Sequence, residues 1–589
     1  MRTSMALASE KQHVAYYSAT APKAPTFQSL GIRPAIANAL HQAFPHVKQP
    51  TPTQCQFIPS IISGRDVLLK DNTGCGKTFG LTLALLSKPR KRIQYDAASG
   101  DTQSPAPATS VTSLVIVPHR DLAHQILYWI QRVVEGAGSS SPLLNSIAQV
   151  LVRDGLKHMT SGLTELKTNP PHILIATPGA LSDIMKEDQA ALQLDTLSAV
   201  FVDEVDYLIE TLPVKQKESR VLREKARRKL ERHTSVTKQI LDVIYRDRIQ
   251  AFDAARDRSE DDEAAETARP SALVNSPQLI MASATLRNHL RQYLYRETGW
   301  ILGEGTEKVR GSNQPAAFML ERSKDGETSP ADALGSTAIQ HHVLVVAEDG
   351  TISNIRGALP ADNAGTPSKK DDPSTVGVNE EQEPSTPLES TFPGINPEQL
   401  AKYRKTESPY HPSSLEAIAT TFALDVPSVA LLVLPSSASV HRAVFDLREL
   451  GVNALGLDFT LSDSGRAHLQ GYPASPGNPQ LLVATLSTVR GLDLPELTHV
   501  FVLGVPEGDK VRGKSIDAYL HVAGRVGRFG RGGKVVTVVQ GTNREPAVKT
   551  SRSEGVTELM EPLAKDDVTR MRRILEEVWV KPTEFELFE

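Results

Sequence analysis

The chain has 589 residues, 40% of them hydrophobic and 23% charged, so it can bury a core and is not a wholly disordered protein. That length exceeds one core and, at about 150 residues per unit, suggests roughly four, a number the motifs below reduce. A formal net charge of −4 gives no general attraction to nucleic acid, so any such partner must meet a local basic surface.

Cys55 and Cys75 are the two cysteines, and the second lies in a glycine-rich loop that a disulfide would distort; this points to a reducing, intracellular compartment. No run of about 18 apolar residues predicts a membrane span, and no membrane partner is expected. Residues 1–25, MRTSMALASEKQHVAYYSATAPKAP, carry three basic residues and one acid among Ala, Ser and Thr. That composition suits a mitochondrial transit peptide and equally an ordinary disordered N-terminus. Mitochondria are favoured here over nucleus or cytoplasm.

In chain order, DVLL (66–69), SLVIVP (113–118), HILIATP (172–178), SAVFVDEVD (198–206) and QLIMASAT (278–285) are apolar runs, most of them followed by helical patterns. The alternation restarts with SVALLVLP (428–435), NALGLD (453–458), QLLVAT (480–485), HVFVLG (499–504) and KVVTVVQG (534–541). Near-continuous apolar strands between helices predict parallel sheets covered on both faces, hence two α/β domains. Residues 88–110 are expected as a loop, 303–337 as a linker and 351–412 as a disordered insertion, the last rich in Pro, Ser, Thr and charge. Residues 211–277 form a charged insertion in which 214–232 carries nine Lys/Arg against three Glu; Leu222, Ala226 and Leu230 predict a helix there. It is either a solvated surface helix or a basic arm touching RNA phosphates. A helical tail is expected over 546–589, with Val568, Met571, Leu575 and Val578 on one face.

The stretch LLKDNTGCGKTFG (68–80) is a strand entering a glycine-rich loop. Thr73, Gly74, Cys75 and Gly76 let backbone N–H groups converge on phosphates, Lys77 reaches the β and γ phosphates, and the Thr78 hydroxyl ligates magnesium. ATP and Mg2+ are the cofactors expected. Asp71 stands where a small residue is usual, facing either the phosphates or the loop backbone. In FVDEVD (201–206), Asp203 is placed to hold the metal and Glu204 to polarise the attacking water. Arg525 and Arg528, three residues apart in GRVGR, suit charge developing on a transferring phosphoryl group.

These motifs, with PTPTQ, VPHRDLAHQ, ATPGAL, MASAT, LLVLPSS, VATLSTVRGLD and YLHVAGRVGRFGRGG, resemble in order the DEAD-box ATP-dependent RNA helicases, over roughly 27–302 and 338–540. The resemblance implies two tandem RecA-like parallel-sheet domains with ATP in the cleft, 26–302 and 338–545. It implies Phe27 stacking near adenine, Gln54 reading its edge and Asp493 near the ribose and γ phosphate. It makes Ser283 and Thr285 the link between hydrolysis and domain closure, and sends Arg525 and Arg528 across the cleft. The RNA-binding residues it implies are Pro118, His119, Arg120, Thr177, Pro178, Gly179, Arg466 and Thr485.

Departures from the family pattern gather on the RNA side. Val205 replaces Ala in the acidic motif, and His119, Asp121, Ala180 and Asp463 replace Thr, Glu, Arg and Gln. Leu486 and Val522 replace an Asp and an Arg whose joint loss suggests that they were partners, since either alone would strand a buried charge. The leading function is an ATP-dependent RNA helicase or ribonucleoprotein remodeller, with RNA gripped through phosphates and 2′-hydroxyls and ribonucleoprotein assembly factors as further partners. A nucleotide-gated RNA clamp with little unwinding is the alternative from a different class, and an unrelated P-loop kinase is disfavoured by the second α/β domain.

Overall fold

The computed structural model describes residues 24–71, 74–90, 92–93, 108–138, 143–153, 162–211, 234–256, 276–301, 318–321, 339–360, 397–457, 479–492, 494, 497–506, 513–526, 532–541 and 566–588, with isolated residues between 224 and 232. Among the described residues no helix is long and apolar enough to cross a membrane.

Two seven-stranded sheets organise the chain. The first takes β1 (Val67–Lys70), β4 (Ser113–Ile116), β5 (Ala148–Leu151), β6 (Ile173–Ala176), β7 (Ala199–Val202), β8 (Gln278–Ser283) and β9 (Phe318–Glu321) in the order β5-β6-β4-β7-β8-β1-β9. A short antiparallel hairpin, β2 (Arg92–Ile93) with β3 (Ala108–Thr109), stands apart in the stretch expected as a loop. The second sheet takes β10 (Ile339–Val346), β11 (Ile352–Asn354), β12 (Val429–Leu434), β13 (Ala454–Gly456), β14 (Gln480–Thr485), β15 (His499–Leu503) and β16 (Gly533–Gln540) in the order β11-β10-β16-β15-β12-β14-β13.

Among the described residues all ladders of the first sheet are parallel, and in the second only β10 with β11 is antiparallel. Strands β4, β6, β7 and β8 are buried along their whole length, as two-sided helix cover requires. Each sheet divides two apolar clusters, one per face: Leu69 and Ile280 lie on one side of the first sheet, Leu68 and Met281 on the other. This is the expected RecA-like α/β architecture.

Three boundary expectations need correction. Strand β9 lies inside the expected linker and pairs with β1 from Val67↔Phe318 to Lys70↔Glu321, so the first sheet extends past residue 302. The expected charged insertion contains two described helices, Val236–Ile244 and Arg246–Arg256. Ile240, Leu241 and Tyr245 join the core beneath the first sheet, and Arg248 is tied to Asp66 at 2.7 Å. The expected disordered insertion holds β11 at its start and a helix at Pro397–Lys405 near its end. Leu222, Ala226 and Leu230, and residues 361–396, lie outside the described residues.

At the C-terminus, the helix Asp567–Val578 starts on an Asp566 cap and buries Val568, Met571, Leu575 and Val578 against the second sheet. Beyond it the chain lies beside β10, where Thr583 N–H donates to His341 O at 2.8 Å.

Candidate active site at the domain junction

Helix α1 (Pro52–Ile62) begins with a reciprocal cap: Thr51 Oγ1 accepts from Gln54 N–H at 3.2 Å, and Thr51 N–H donates to Gln54 Oε1 at 2.9 Å. Gln54 Nε2 also donates to Gly76 O at 3.0 Å, which pins the phosphate loop to this helix. The sequence reading gave Gln54 to the adenine edge. Its oxygen and one amide hydrogen are taken up by the protein, which leaves one hydrogen for a base. Phe27 was expected to stack on adenine; it is 1% exposed, packed in the core with an edge contact to His41, and offers no open face. The cause is its apolar surroundings, since Ile32, Leu40 and Phe57 belong to the same cluster.

Gly74 and Gly76 have φ of 81° and 83°, the left-handed region, and α2 (Lys77–Ser87) starts directly after them. A Cβ on Gly76 would lie 2.7 Å from Gln54 Nε2, so both backbone conformation and close approach demand glycine. Lys77 Nζ donates to Asp71 O at 2.6 Å and to Cys75 Sγ at 3.5 Å, holding the ammonium over the loop. Burial pushes the Cys75 thiol above its ordinary range, so it is held as the neutral thiol.

The Asp71 side chain also interacts with the Cys75 thiol in the loop. It is buried, and its carboxylate accepts from the Thr53 hydroxyl on α1. The acid is therefore a bracket between the Gln54 helix and the end of β1.

Thr78 Oγ1 donates to Asp203 Oδ2 at 2.7 Å, so the two expected magnesium ligands meet. Burial first, and then the neighbouring Glu204 charge, push the Asp203 carboxyl up to about 7. Glu204 sits at φ 50°, a left-handed position that costs a non-glycine residue on the order of 1–3 kcal/mol and recurs at functional sites. Glu204 Oε2 and Asp206 Oδ1 are buried without hydrogen-bond partners. A buried acidic cluster with open lone pairs beside a threonine hydroxyl is the donor set a magnesium ion and its water need, so the residues fit the metal.

Asp206 accepts from Thr285 Oγ1, and Thr285 N–H donates to Ser283 Oγ at 3.2 Å. The second domain completes this cluster through α8 (Gly513–Ala523), taking the helices Arg120–Gly136, Pro178–Asp188, Val236–Ile244, Arg246–Arg256 and Asn288–Arg296 as α3 to α7. His521 Nε2 on α8 lies 3.5 Å from Asp206 Oδ2, 3.8 Å from Glu204 Oε2 and 3.4 Å from Thr285 Oγ1. Burial alone would raise the Asp206 carboxyl, but His521 and the Ser283 and Thr285 hydroxyls hold it well below the usual range. Asp206 and His521 were missed as site residues. The signal was the last acid of FVDEVD and the histidine four residues before Arg525.

Arg525 was expected to reach across the cleft. It is buried, donating within its own domain to Leu492 O from Nη1 and to His521 O from Nε at 3.2 Å, and its charge also acts on His119 of the first domain. Those carbonyls satisfy the guanidinium where the chain turns after α8. Thr73, Asp493, Arg466 and Arg528 lie outside the described residues.

On the expected RNA side, Pro118 and Thr177 after their strands and Pro178 and Gly179 in the first turn of α4 are half-buried, and the Arg120 side chain is 40% exposed. Thr485 Oγ1 lies 2.9 Å from both Ser487 Oγ and Thr488 Oγ1. His119 departs from its expected role. Its ring turns into the domain junction, accepting from Leu122 N–H at Nδ1 and donating from Nε2 to Arg490 O at 2.6 Å. Leu486 and Val522 are buried in the same apolar cluster, so the lost acid and base positions are now both occupied by hydrocarbon.

A glycine-rich phosphate loop and an acidic cluster in one parallel α/β domain meet a histidine from a second such domain at the junction between them. Residues 51–293 match the DEAD/DEAH box helicase family and 422–530 match the helicase conserved C-terminal domain; the chain belongs to the DEAD/DEAH box helicase family. It is 23% identical over 519 residues to ATP-dependent RNA helicase mak5 of Aspergillus terreus, covering 87% of this chain and 52% of that protein. It is 36% identical over 188 residues to the human probable ATP-dependent RNA helicase DDX28, 31% of each chain. Structures of S. cerevisiae Dbp5 bound to RNA and ADP BeF3 align over 95% of both chains at 16% identity with a TM-score of 0.49. The chain spans about half the length of the mak5 relative.

Proposed function

We propose that the protein is an ATP-dependent RNA helicase or ribonucleoprotein remodeller, coupling ATP binding and hydrolysis to RNA gripping and local duplex separation. The observation that carries this reading is His521, delivered by the second domain to within 3.8 Å of Glu204, Asp206 and Thr285. A hydrolysis site completed only by a second domain ties ATP turnover to domain closure.

In this reading Lys77 Nζ leaves the Asp71 carbonyl to meet the β and γ phosphates, and the Gly74–Gly76 turn presents its N–H groups to them. Thr78 Oγ1 and an Asp203 carboxylate oxygen would hold magnesium, which would supply positive charge against the phosphates. Glu204 Oε2, buried without a hydrogen-bond partner, orients the attacking water and takes its proton. Arg528 is the second domain's candidate cation for the charge that develops on the γ phosphate. The names of the relatives support RNA as the substrate.

A nucleotide-gated RNA clamp with little unwinding is favoured by one observation, the withdrawal of His119 from the RNA side into the domain junction. RNA-stimulated ATP hydrolysis and short-duplex unwinding, measured on one preparation, separate the two: a helicase shows both, a clamp binds RNA in an ATP-dependent way without strand separation. The compartment is open among mitochondrion, nucleus and cytoplasm, and a reporter fused to residues 1–30 tests the mitochondrial reading.

A further inference from the structure

We infer that Arg287 and Asp517 form a closure latch that positions α8, and His521 on it, against the hydrolysis site. The inference rests on the proposed ATP-driven closure. Arg287 follows Thr285 by two residues and occupies the cap position of α7 in the first domain; Asp517 lies on α8 in the second, one helical turn before His521.

The contact is a fork. Arg287 Nε lies 3.1 Å from both Asp517 oxygens and Nη2 lies 2.7 Å from Oδ1. A planar guanidinium held at two points fixes the direction of approach as well as the distance, which a lysine ammonium cannot do. The pair is not a solvated decoration. Asp517's side chain is 14% exposed and Arg287's 36%.

Burial raises the Asp517 carboxyl, the Arg287 guanidinium opposes that shift, and the nearby Asp206 charge adds to it. Asp517 therefore brings a further buried acid toward the Glu204–Asp206 cluster, and Arg287 compensates it at that place. With the domains apart both groups return to water, so their attraction contributes only in the closed form.

The geometry also explains why the latch acts on chemistry. Asp517 and His521 are four residues apart on one face of α8, so a roll or slide of that helix moves both together. His521 Nε2 has 3.4–3.8 Å contacts to three groups of the first domain, distances that a shift of about an ångström would break. Neither latch residue touches the reacting atoms in this arrangement, and both are positioning residues.

The test uses the full chain with Arg287→Asp, Asp517→Arg and the double reversal. Each single reversal places like charges together, and RNA-stimulated kcat falls about tenfold or more while binding of a fluorescent ATP analogue without RNA stays within about twofold. The double reversal restores kcat to within about threefold of wild type, and Arg287→Lys restores only part because the fork is lost. Unchanged kcat in the single variants, or a double variant as impaired as the product of the singles, overturns the latch, as does an equal loss of nucleotide binding.

Small-angle scattering supplies the arm that does not need hydrolysis. Wild type compacts with a non-hydrolysable ATP analogue and RNA, the single reversals do not, and the double does. Compaction in this pattern without RNA-stimulated ATPase keeps the latch and removes the helicase reading; compaction of every variant removes the latch.

Discussion

His119 on α3 donates from Nε2 to the Arg490 carbonyl at 2.6 Å, joining the first domain's helix cap to a loop of the second. Burial pushes the imidazole down to about 4, so it is neutral near pH 7, and its bond from Leu122 N–H to Nδ1 leaves the proton on Nε2. Beside it Gln125 Nε2 donates to Gly491 O at 3.4 Å, and the Arg490 guanidinium lies 4.6 Å from the Tyr207 ring centroid. A Cβ on Gly491 would lie 2.7 Å from Leu122 Cδ2, so the two domains touch at backbone range.

His119→Asn separates the two jobs of this side chain. Asn keeps the helix cap, since its oxygen can accept from Leu122 N–H, but it is too short to reach Arg490. Thermal stability should hold, and RNA-stimulated ATP turnover should fall about threefold to tenfold, the value of one net hydrogen bond of about 0.5–1.5 kcal/mol. A lower Tm with unchanged turnover would assign His119 to the cap alone.

Asp71→Ala should not tighten ATP binding, because the carboxylate is engaged with the Thr53 hydroxyl and serves as a structural bracket. Removing it leaves a buried hydroxyl without its acceptor, at a cost of about 1–3 kcal/mol, and loosens α1 from the phosphate loop. Isothermal titration with an ATP analogue and denaturant melts check both; tighter binding would mean that the acid faces the nucleotide after all.

Leu486→Asp should destabilise the second domain severely, by about 3–5 kcal/mol, because it strands a charge in hydrocarbon shared with Val522. Adding Val522→Arg should recover part of that loss. If the double variant is no better than the single, the two positions do not face one another and the pairing suggested by their joint departure is wrong.

Acidification should weaken the fold in a defined window. Burial is the first cause pushing His119, His172, His341 and His342 down to about 4, against an ordinary value of 6.5. Between those values the unfolded chain binds protons that the folded chain does not, so unfolding free energy falls as pH falls from about 6.5 to 4 and is flat above it. Each histidine adds up to about 1.4 kcal/mol per pH unit. His342→Asn should flatten the slope of denaturant midpoint against pH; an unaltered slope would show that His342 is protonated in the fold.

What could be read beforehand follows how local the physics is. GCGKT encodes its own left-handed turn, and the apolar runs encode buried strands, so the phosphate loop and both sheets were legible. FMLE at β9 and ISN at β11 are too short, and lie in stretches too polar, to announce strands; their place comes from the edges they pair with, β1 and β10. The placement of His119, Asp517 and His521 depends on docking two domains distant in sequence, which no local pattern carries. Phe27 was misassigned because an aromatic residue that could meet a base and one that fills a core look the same in sequence.

The central claim is that Glu204, joined by His521 from the second domain, drives RNA-coupled ATP hydrolysis. The most direct measurement is steady-state ATP turnover of wild type and Glu204→Gln, with and without single-stranded RNA, beside binding of a fluorescent ATP analogue. Turnover should rise with RNA in wild type and fall by about 10² or more in Glu204→Gln, with nucleotide binding intact. Turnover indifferent to RNA, or equal in the two proteins, would contradict it.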